Sequence, residues 1–246
     1  AQKKKATRHA THEKAIAAVR WSVEQNGSSV AETIPYLYEN GQPFGYNVRF
    51  NFAEGGKTFR QIHRDGDAWL SKSGPNLWPL YLLNDIPADG TIYIHEGEKA
   101  CDSGVTCGLP STACKGGCEA PDKTDWSPLA GRDVVILPDN DSAGEKFVTK
   151  VTTILHALDP PAVVRVVRLN ARPEKGGDLA DILDEYQEPE TVKDAVEGTA
   201  AGESVVPVAV VENVTAGAKP STTDKPRLLV RMFDEIEERE TNWLWK

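Results

Sequence analysis

Two stretches decide the fold: TIYIHEGE at residues 91–98 and VVILPDND at residues 134–141. Each contains a short apolar run typical of a buried strand and ends in carboxylates, Glu96 and Glu98 in the first and Asp139 and Asp141 in the second. In open α/β sheets, ligands and metals bind at the carboxyl ends of the strands. Two side chains that lie two residues apart can point the same way. Together with a glutamate from a neighbouring strand, they predict a site for hard divalent cations.

Each of these carboxylates also has a purely structural interpretation. A glutamate that follows a strand is commonly a solvated turn residue, and Asp141 or Ser142 can cap the helix that begins there. Gly97 after Glu96 predicts a tight turn that aims the glutamate at the end of the sheet. Because both motifs occur at strand ends, a metal site is favoured, with helix capping by Asp141 or Ser142 as an additional role.

Two further turns add cations and carboxylates to the same predicted edge. The sequence KGG at residues 115–117 follows the next strand, and such a turn can present backbone N–H groups and an ammonium group to a phosphate. A plain turn would use the same glycines. Further along, Lys175 is followed by Asp178, which is either a metal ligand or the N-cap of the next helix.

The hydrophobic pattern divides the chain. Residues 11–25 have a partial helical period, and residues 34–70 alternate apolar and polar residues between glycine turns, which predicts an antiparallel meander. From residue 91, short apolar runs alternate with helical segments, which predicts a parallel sheet covered on both faces. The predicted units are a basic segment with a helix (1–29), a β-rich lobe (30–88), a catalytic α/β domain (89–198), a linker (199–226) and the start of a truncated module (227–246).

The formal net charge of -9 is unevenly distributed. The acidic excess lies in residues 86–200, together with the carboxylate motifs, as expected where bound cations offset part of it. Net acidity does not exclude a polyanionic partner that is held elsewhere on the chain or through metal. Since no apolar run reaches the length of a membrane span and the first residues lack the apolar core of a signal peptide, we expect a cytoplasmic protein without a membrane partner.

Four cysteines lie close together in the sequence: Cys101, Cys107, Cys114 and Cys118. Their spacings match none of the common CxxC pairs of structural zinc sites. Zinc is therefore the less favoured alternative. The favoured interpretation is four reduced thiols packed around one helix and one strand.

These motifs resemble the Toprim domain, in the form found in phage and plasmid DNA primases. The resemblance rests on IHEGEK (94–99), KGG (115–117), VVILPDNDSAG (134–144) and KGGDLAD (175–181), in that order and spacing. The β-rich segment before them resembles the N-terminal lobe of the primase RNA-polymerase core. The implied fold class is α/β: a Toprim, Rossmann-like parallel sheet with helices on both faces, preceded by a smaller β-rich (α+β) N-terminal lobe.

The resemblance implies a nucleotidyltransferase that synthesises short RNA primers on a DNA template. The implied catalytic residues are Glu96, Asp139 and Asp141, and these would hold two Mg²⁺ or Mn²⁺ ions together with Asp178 or Asp102. The implied nucleotide and phosphate contacts are Lys99, Lys115, Gly116, Gly117 and Lys175. The basic residues expected to contact nucleic acid are Arg49, Lys57, Arg60 and Arg64.

The implied partners are a single-stranded DNA template, ribonucleoside triphosphates and a helicase module. Residues 234–245 resemble the lead-in of the helicase in primase-helicase fusions, and the sequence has no Walker loop. We therefore expect the polymerase core of a truncated primase-helicase.

One position departs from the family pattern, and two other functions stay open. Primases often place an aspartate four residues after the glutamate, where this chain has Ala100, and Asp102 is the candidate replacement. The same carboxylates would also serve a Toprim nuclease or a topoisomerase-type fragment that cleaves DNA. A non-catalytic module that binds DNA or nucleotides beside a helicase is the second alternative.

Overall fold

The computed structural model describes residues 7–25, 27–72, 74, 77–169, 176–201 and 209–214. Two five-stranded sheets and five α-helices form its framework. The strands are β1 (Arg8–His9), β2 (Ser28–Leu37), β3 (Pro43–Phe52), β4 (Lys57–Asp65), β5 (Ala68–Leu70), β6 (Ile92–His95), β7 (Ser111–Ala113), β8 (Asp133–Leu137), β9 (Val163–Leu169) and β10 (Ala209–Val214). The helices are α1 (His12–Glu24), α2 (Glu98–Thr106), α3 (Ser142–His156), α4 (Leu179–Tyr186) and α5 (Pro189–Ala200).

The N-terminal sheet is antiparallel and has the strand order β1-β5-β4-β3-β2. The alternating pattern of β3 and β4 gives this sheet one apolar face, and α1 packs on it through Ala15, Val19 and Val23. Thr11 caps the helix by accepting a hydrogen bond from the backbone N–H of Lys14 at 3.4 Å. The predicted meander and the predicted first helix are both confirmed.

The second sheet has the order β10-β9-β8-β6-β7. Its strands are parallel except β10, which runs antiparallel to β9. α3 packs on one face of the sheet, and α4 and α5 pack on the other. Because β6 and β8 are buried on both faces, their sequences are mainly apolar and do not alternate with polar residues. The predicted α/β fold class is confirmed.

A shared apolar cluster joins the two sheets within one compact unit. Tyr36 and Phe44 of the N-terminal sheet share one buried cluster with Cys101 of α2 and with Trp78 and Tyr81 from the connecting segment. The rings of Tyr36 and Trp78 meet edge to face, with centroids 5.2 Å apart. The position of one sheet relative to the other is therefore determined by buried contacts.

The C-terminal part of the second sheet contains an element that the hydrophobic pattern does not predict. β10 lies inside the predicted linker and pairs with residues 164–169 of β9. Its valine-rich sequence suits a strand, because β-branched residues are enriched in strands. The predicted domain boundaries stay a prediction. Residues 215–246, which include the predicted helicase lead-in, lie outside the described residues.

None of the four cysteines forms a disulfide bond, and Cys118 alone among them is not buried. Within the residues that the structure describes, no helix is both long enough and apolar enough to cross a lipid bilayer.

A half-buried ion pair stabilises the end of the second sheet that lies opposite the carboxylate motifs. The guanidinium group of Arg165 donates to Asp133 Oδ2 at 2.6 Å and to the carbonyl O of Ala200 at 2.7 Å. Arg165→Met is therefore expected to lower the free energy of unfolding by about 1–2 kcal/mol, measured by urea titration. Arg20→Met, which removes an exposed pair with Glu24, is the control, and an equal loss in both variants would contradict the prediction.

Candidate active site

The two carboxylate motifs follow neighbouring parallel strands. β6 pairs with β8, and His95 at the end of β6 lies opposite Leu137 at the end of β8. Glu96 follows His95 directly, and Asp139 follows Leu137 after one proline. Both carboxylates therefore lie at the same edge of the sheet, where open α/β sheets bind ligands.

Glu96 is partly buried, and one of its carboxylate oxygens lacks a partner. Oε2 is inaccessible to solvent and accepts no hydrogen bond from any described residue. Burial raises the pKa of Glu96, hydrogen bonds from the side chain and backbone of Cys118 lower it, and the charge of Asp141 raises it. A buried acceptor without a donor costs about 1–3 kcal/mol, and a bound cation would satisfy it.

Asp139 lies in the electrostatic field of three other carboxylates. Burial raises the pKa of Asp139 to about 7, and the charges of Glu96, Asp178 and Asp141 contribute to the same rise. Like charges within a few ångströms disfavour joint ionisation unless a cation lies between them. Glu96, Asp141 and Asp178 are therefore close enough to Asp139 to affect its ionisation.

Asp141 and Asp178 cap helices in addition to any metal role. Asp141 Oδ1 accepts from the backbone N–H groups of Ala143 at 2.7 Å and Gly144 at 2.9 Å. Asp178 Oδ1 accepts from Asp181 N at 3.1 Å, in a capping box at the start of α4. These bonds fix the orientation of each carboxylate through Oδ1. The predicted choice between capping and metal binding is therefore not exclusive, because a cap bond to one oxygen leaves a carboxylate a second oxygen.

The chemistry of these carboxylates fits a hard divalent cation. Among the described residues, no three Asp, Glu, His or Cys side chains converge closely enough to hold one ion. The fit rests on the partnerless Oε2 of Glu96 and on the raised pKa of Asp139. Both are electrostatic penalties that a cation with oxygen ligands relieves. The chemistry of the residues present is therefore compatible with a hard divalent cation.

The KGG turn packs directly against Glu96. Gly116 and Gly117 have φ angles of 88° and 56°, in the left-handed region that favours glycine. A Cβ on Gly117 would lie 3.5 Å from Glu96 Cγ. Lys115 is buried, and its ammonium group lies 5.2 Å from the ring centroid of Trp78. The glycines are thus at the predicted position, whereas the lysine side chain points into the junction between the sheets.

Gly97 is not needed for a tight turn. Its backbone is extended, with φ of -130°, and a Cβ at this position would meet no described atom within 4 Å. The interpretation of Gly97 as the residue that aims Glu96 is therefore wrong, because any residue adopts this conformation. The direction of Glu96 follows instead from the end of β6 and the contact with the KGG turn.

Lys99 and Asp102 of α2 contact residues that do not belong to the carboxylate group. The ammonium group of Lys99 is 3.7 Å from Asp184 Oδ2 of α4, and both side chains are largely exposed. Asp102 Oδ1 accepts a hydrogen bond from the Tyr81 hydroxyl at 2.9 Å. Burial raises the pKa of Asp102, the bond from Tyr81 lowers it, and the charge of Glu98 raises it. These contacts give no support to Lys99 as a phosphate ligand or to Asp102 as a replacement for the residue at position 100.

The four basic residues predicted to contact nucleic acid lie on both faces of the N-terminal sheet, two on each face. Residues that face each other across paired strands share a side of the sheet, and alternate residues lie on opposite sides. By this rule Arg49 and Lys57 share one face of the β3–β4 hairpin. Arg60 and Arg64 lie on the other face, which packs on α1.

Of these four basic residues, Lys57 is the one whose charge acts on Glu96 and Asp139. Burial raises the pKa of Glu96 and of Asp139, and the positive charge of Lys57 opposes the rise at both. The sheet face that carries Lys57 also carries Asn47, which contacts α2 at Glu98. Lys175, the other predicted lysine of the site, lies outside the described residues.

Two pairs of residues near the site escape sequence reasoning. Glu145 in the first turn of α3 forms a two-bond contact with Arg168 of β9, at 2.7 and 2.9 Å. Glu98 Oε1 accepts a hydrogen bond from the hydroxyl group of Tyr36 in the N-terminal sheet. In the sequence, these charged residues are marked only by their positions near the end of a strand or the start of a helix. Such a position does not identify a hydrogen-bond partner that is distant in the sequence.

Known proteins resemble this chain in structure and not in sequence. No protein-family model matches the chain, and no curated protein matches it in sequence. Among solved structures, the chain is similar to the primase fragment of the bacteriophage T7 primase-helicase protein, at 18% identity and a TM-score of 0.46 over 70% of this chain and 68% of that chain.

Two further structures are similar at comparable levels. One is a bacteriophage T7 lagging-strand DNA polymerase with primase domains bound to an RNA/DNA hybrid and dTTP, at 16% identity and a TM-score of 0.46 over 78% of this chain and 92% of that chain. The other is the RNA polymerase domain of Mycobacterium tuberculosis primase DnaG, at 15% identity and a TM-score of 0.43 over 75% of this chain and 65% of that chain. The function proposed below rests on the carboxylates and basic side chains described above.

Proposed function

We propose that this chain is the core of a DNA primase, which joins ribonucleotides on a single-stranded DNA template in a metal-dependent reaction. One observation carries the proposal: the charges of Glu96, Asp141 and Asp178 act on Asp139 at the carboxyl edge of the sheet, beside a buried Glu96 oxygen that no described residue satisfies. Template-directed nucleotidyl transfer needs such a group of carboxylates and no protein nucleophile.

Glu96, Asp139 and Asp141, together with Asp178, are the residues that would hold two Mg²⁺ or Mn²⁺ ions. When bound, such ions lower the pKa of the attacking 3′-hydroxyl and neutralise charge on the triphosphate. The chain's own contribution is rigidity. Helix caps hold Asp141 and Asp178 through one oxygen each, and the end of β6 and the KGG turn hold Glu96.

The nucleic acid would lie between the carboxylates and the sheet face that carries Lys57 and Arg49. These two cations are on the side of the sheet that faces α2, and phosphate contacts dominate affinity for nucleic acids. The glycines of the KGG turn would present backbone N–H groups to a phosphate beside Glu96. Ribonucleoside triphosphates and a helicase module, fused in a longer protein, are the other proposed partners.

The test is a gel assay with labelled single-stranded DNA, four ribonucleoside triphosphates and Mg²⁺ or Mn²⁺. We expect short RNA products that disappear on addition of EDTA and return when the metal is restored. Cleavage of the template without synthesis would favour the nuclease or topoisomerase alternative. Template binding with neither reaction would favour a non-catalytic module, so each outcome identifies one of the three functions.

A further inference from the structure

A buried carboxylate that the proposed reaction does not use connects the two sheets. Glu98, at the start of α2, accepts two hydrogen bonds at Oε1, from the Tyr36 hydroxyl at 2.8 Å and from Asn47 Nδ2 at 2.9 Å. Asn47 Oδ1 in turn accepts from Gln61 Nε2 at 3.1 Å. We call these four residues the junction network. Tyr36, Asn47 and Gln61 belong to three adjacent strands, so a single carboxylate is linked, directly or through Asn47, to three of the five strands of the N-terminal sheet.

Three of the four residues of the junction network are buried, which makes its geometry specific, and Gln61 is partly buried. Tyr36 is 0% exposed, Asn47 2% and Glu98 8%. A buried charged or polar group is tolerated only where its hydrogen bonds are made, so these donors cannot move away from Glu98 without a large penalty. Two flat apolar surfaces could slide past each other, whereas a directional network permits one alignment.

Glu96 and Glu98, two residues apart, therefore belong to different interactions, one at the carboxylate group and the other with the N-terminal sheet. Glu96 lies in the carboxylate group, and Glu98, two residues later, holds the N-terminal sheet. On that sheet, Lys57 lies on the same face as Gln61 and four residues away along β4, which corresponds to about 13 Å. A change in the position of the N-terminal sheet relative to α2 at the junction network therefore also changes the position of Lys57, since Asn47, Gln61 and Lys57 lie on the paired strands β3 and β4.

Resting on the proposed function, we propose that Glu98 is a positioning residue: it aligns the N-terminal sheet so that Lys57 lies opposite Glu96 and Asp139 and contacts a phosphate group bound there. The phosphate belongs either to the polynucleotide or to a nucleoside triphosphate. In this arrangement Glu98 touches neither ligand. It acts through Tyr36 and Asn47, and a loss of Glu98 removes the contribution of Lys57 to binding.

A double-mutant cycle tests this coupling. Binding of a labelled single-stranded oligonucleotide and, separately, of a labelled ribonucleoside triphosphate is measured with Mg²⁺ at several salt concentrations. In the wild-type background, Lys57→Gln is expected to weaken one of them about tenfold and to lower its salt slope by about one. In the Glu98→Ala background the same substitution is expected to have less than about a twofold effect. The ligand that responds identifies the source of the phosphate.

Equal effects of Lys57→Gln in both backgrounds would overturn the proposal and leave Glu98 a merely stabilising residue. Glu98→Gln keeps the accepting oxygen and is expected to restore the coupling. If Glu98→Ala does not fold, Tyr36→Phe replaces it, since the ring keeps its contacts and loses one donor. Thr106→Ala, which removes a bond within α2, is the matched control and should leave the effect of Lys57→Gln at about tenfold.

The cycle also separates this inference from the proposed function. Binding does not require synthesis, so a wild-type protein that binds but makes no primer would contradict the primase function while the coupling still decides the role of Glu98. A wild-type protein that binds neither ligand would contradict both.

Discussion

Replacing Asp139 with asparagine is expected to lower primer synthesis by about a thousandfold while the fold is retained. The side chains have the same shape, but asparagine contributes no negative charge to the group formed with Glu96, Asp178 and Asp141. The loss of one anionic ligand weakens binding of a divalent cation at this edge of the sheet. Primer yield per folded protein, measured at saturating Mg²⁺, checks the prediction.

The same substitution is expected to stabilise the metal-free protein at neutral pH and above. Burial and the neighbouring carboxylates raise the pKa of Asp139 to about 7 from 3.8. Between these values the folded protein keeps a proton that the unfolded chain has lost. The stability that comes from this proton is therefore complete below about pH 4 and is lost as the pH rises through about 7. The asparagine variant has no such dependence, since its side chain does not ionise.

Urea unfolding in EDTA at pH 5 and pH 8 measures this difference. After allowance for solvent screening, we expect Asp139→Asn to gain about 1–3 kcal/mol over the wild type at pH 8 and less at pH 5. Mg²⁺ should stabilise the wild type and have little effect on the variant. Glu185→Gln, an exposed change on α4, is the control for both assays. A variant that retains full synthesis would show that Asp139 is not needed for the reaction. A pH dependence of stability equal to that of the wild type would contradict the raised pKa of Asp139.

The position of the carboxylates was predictable from sequence because parallel strands buried on both faces leave a strong pattern. Once β6 and β8 are recognised as such strands, Glu96 and Asp139 must follow their carboxyl ends. The pairing of His95 with Leu137 then brings them to one edge. No knowledge of distant contacts is needed for this step, since each residue is placed by its own strand.

Contacts between the sheets were not predictable in this way. Glu98 and Tyr36 are 62 residues apart, and nothing in the local pattern of either residue indicates the other. The same holds for the charge of Lys57 beside Asp139, which depends on how the N-terminal sheet lies against α2. Which basic residues share a face follows from the β3–β4 register, and the alternation of apolar residues alone does not determine that register.

Replacing Gly144 with alanine is expected to have the largest effect on stability. Gly144 lies in the first turn of α3, and a Cβ there would overlap the backbone carbonyl O of Asp139 and lie 3.0 Å from its carbonyl C. A backbone group cannot rotate away as a side chain can, so the start of α3 must move from the end of β8. That movement breaks the bond from Gly144 N to Asp141 Oδ1, which is 2.9 Å long.

We therefore expect Gly144→Ala to lower the free energy of unfolding by about 3–5 kcal/mol, measured by urea titration in EDTA. Its remaining folded fraction should also lose Mg²⁺-dependent stabilisation, because Asp139 and Asp141 are displaced together. Gly97→Ala is the matched control: it lies beside Glu96, its Cβ would meet no described atom within 4 Å, and we expect a change within about 1 kcal/mol. Equal losses in the two variants would show that the close approach of α3 to Asp139 does not limit stability, and that alanine is tolerated where the end of β8 meets the helix.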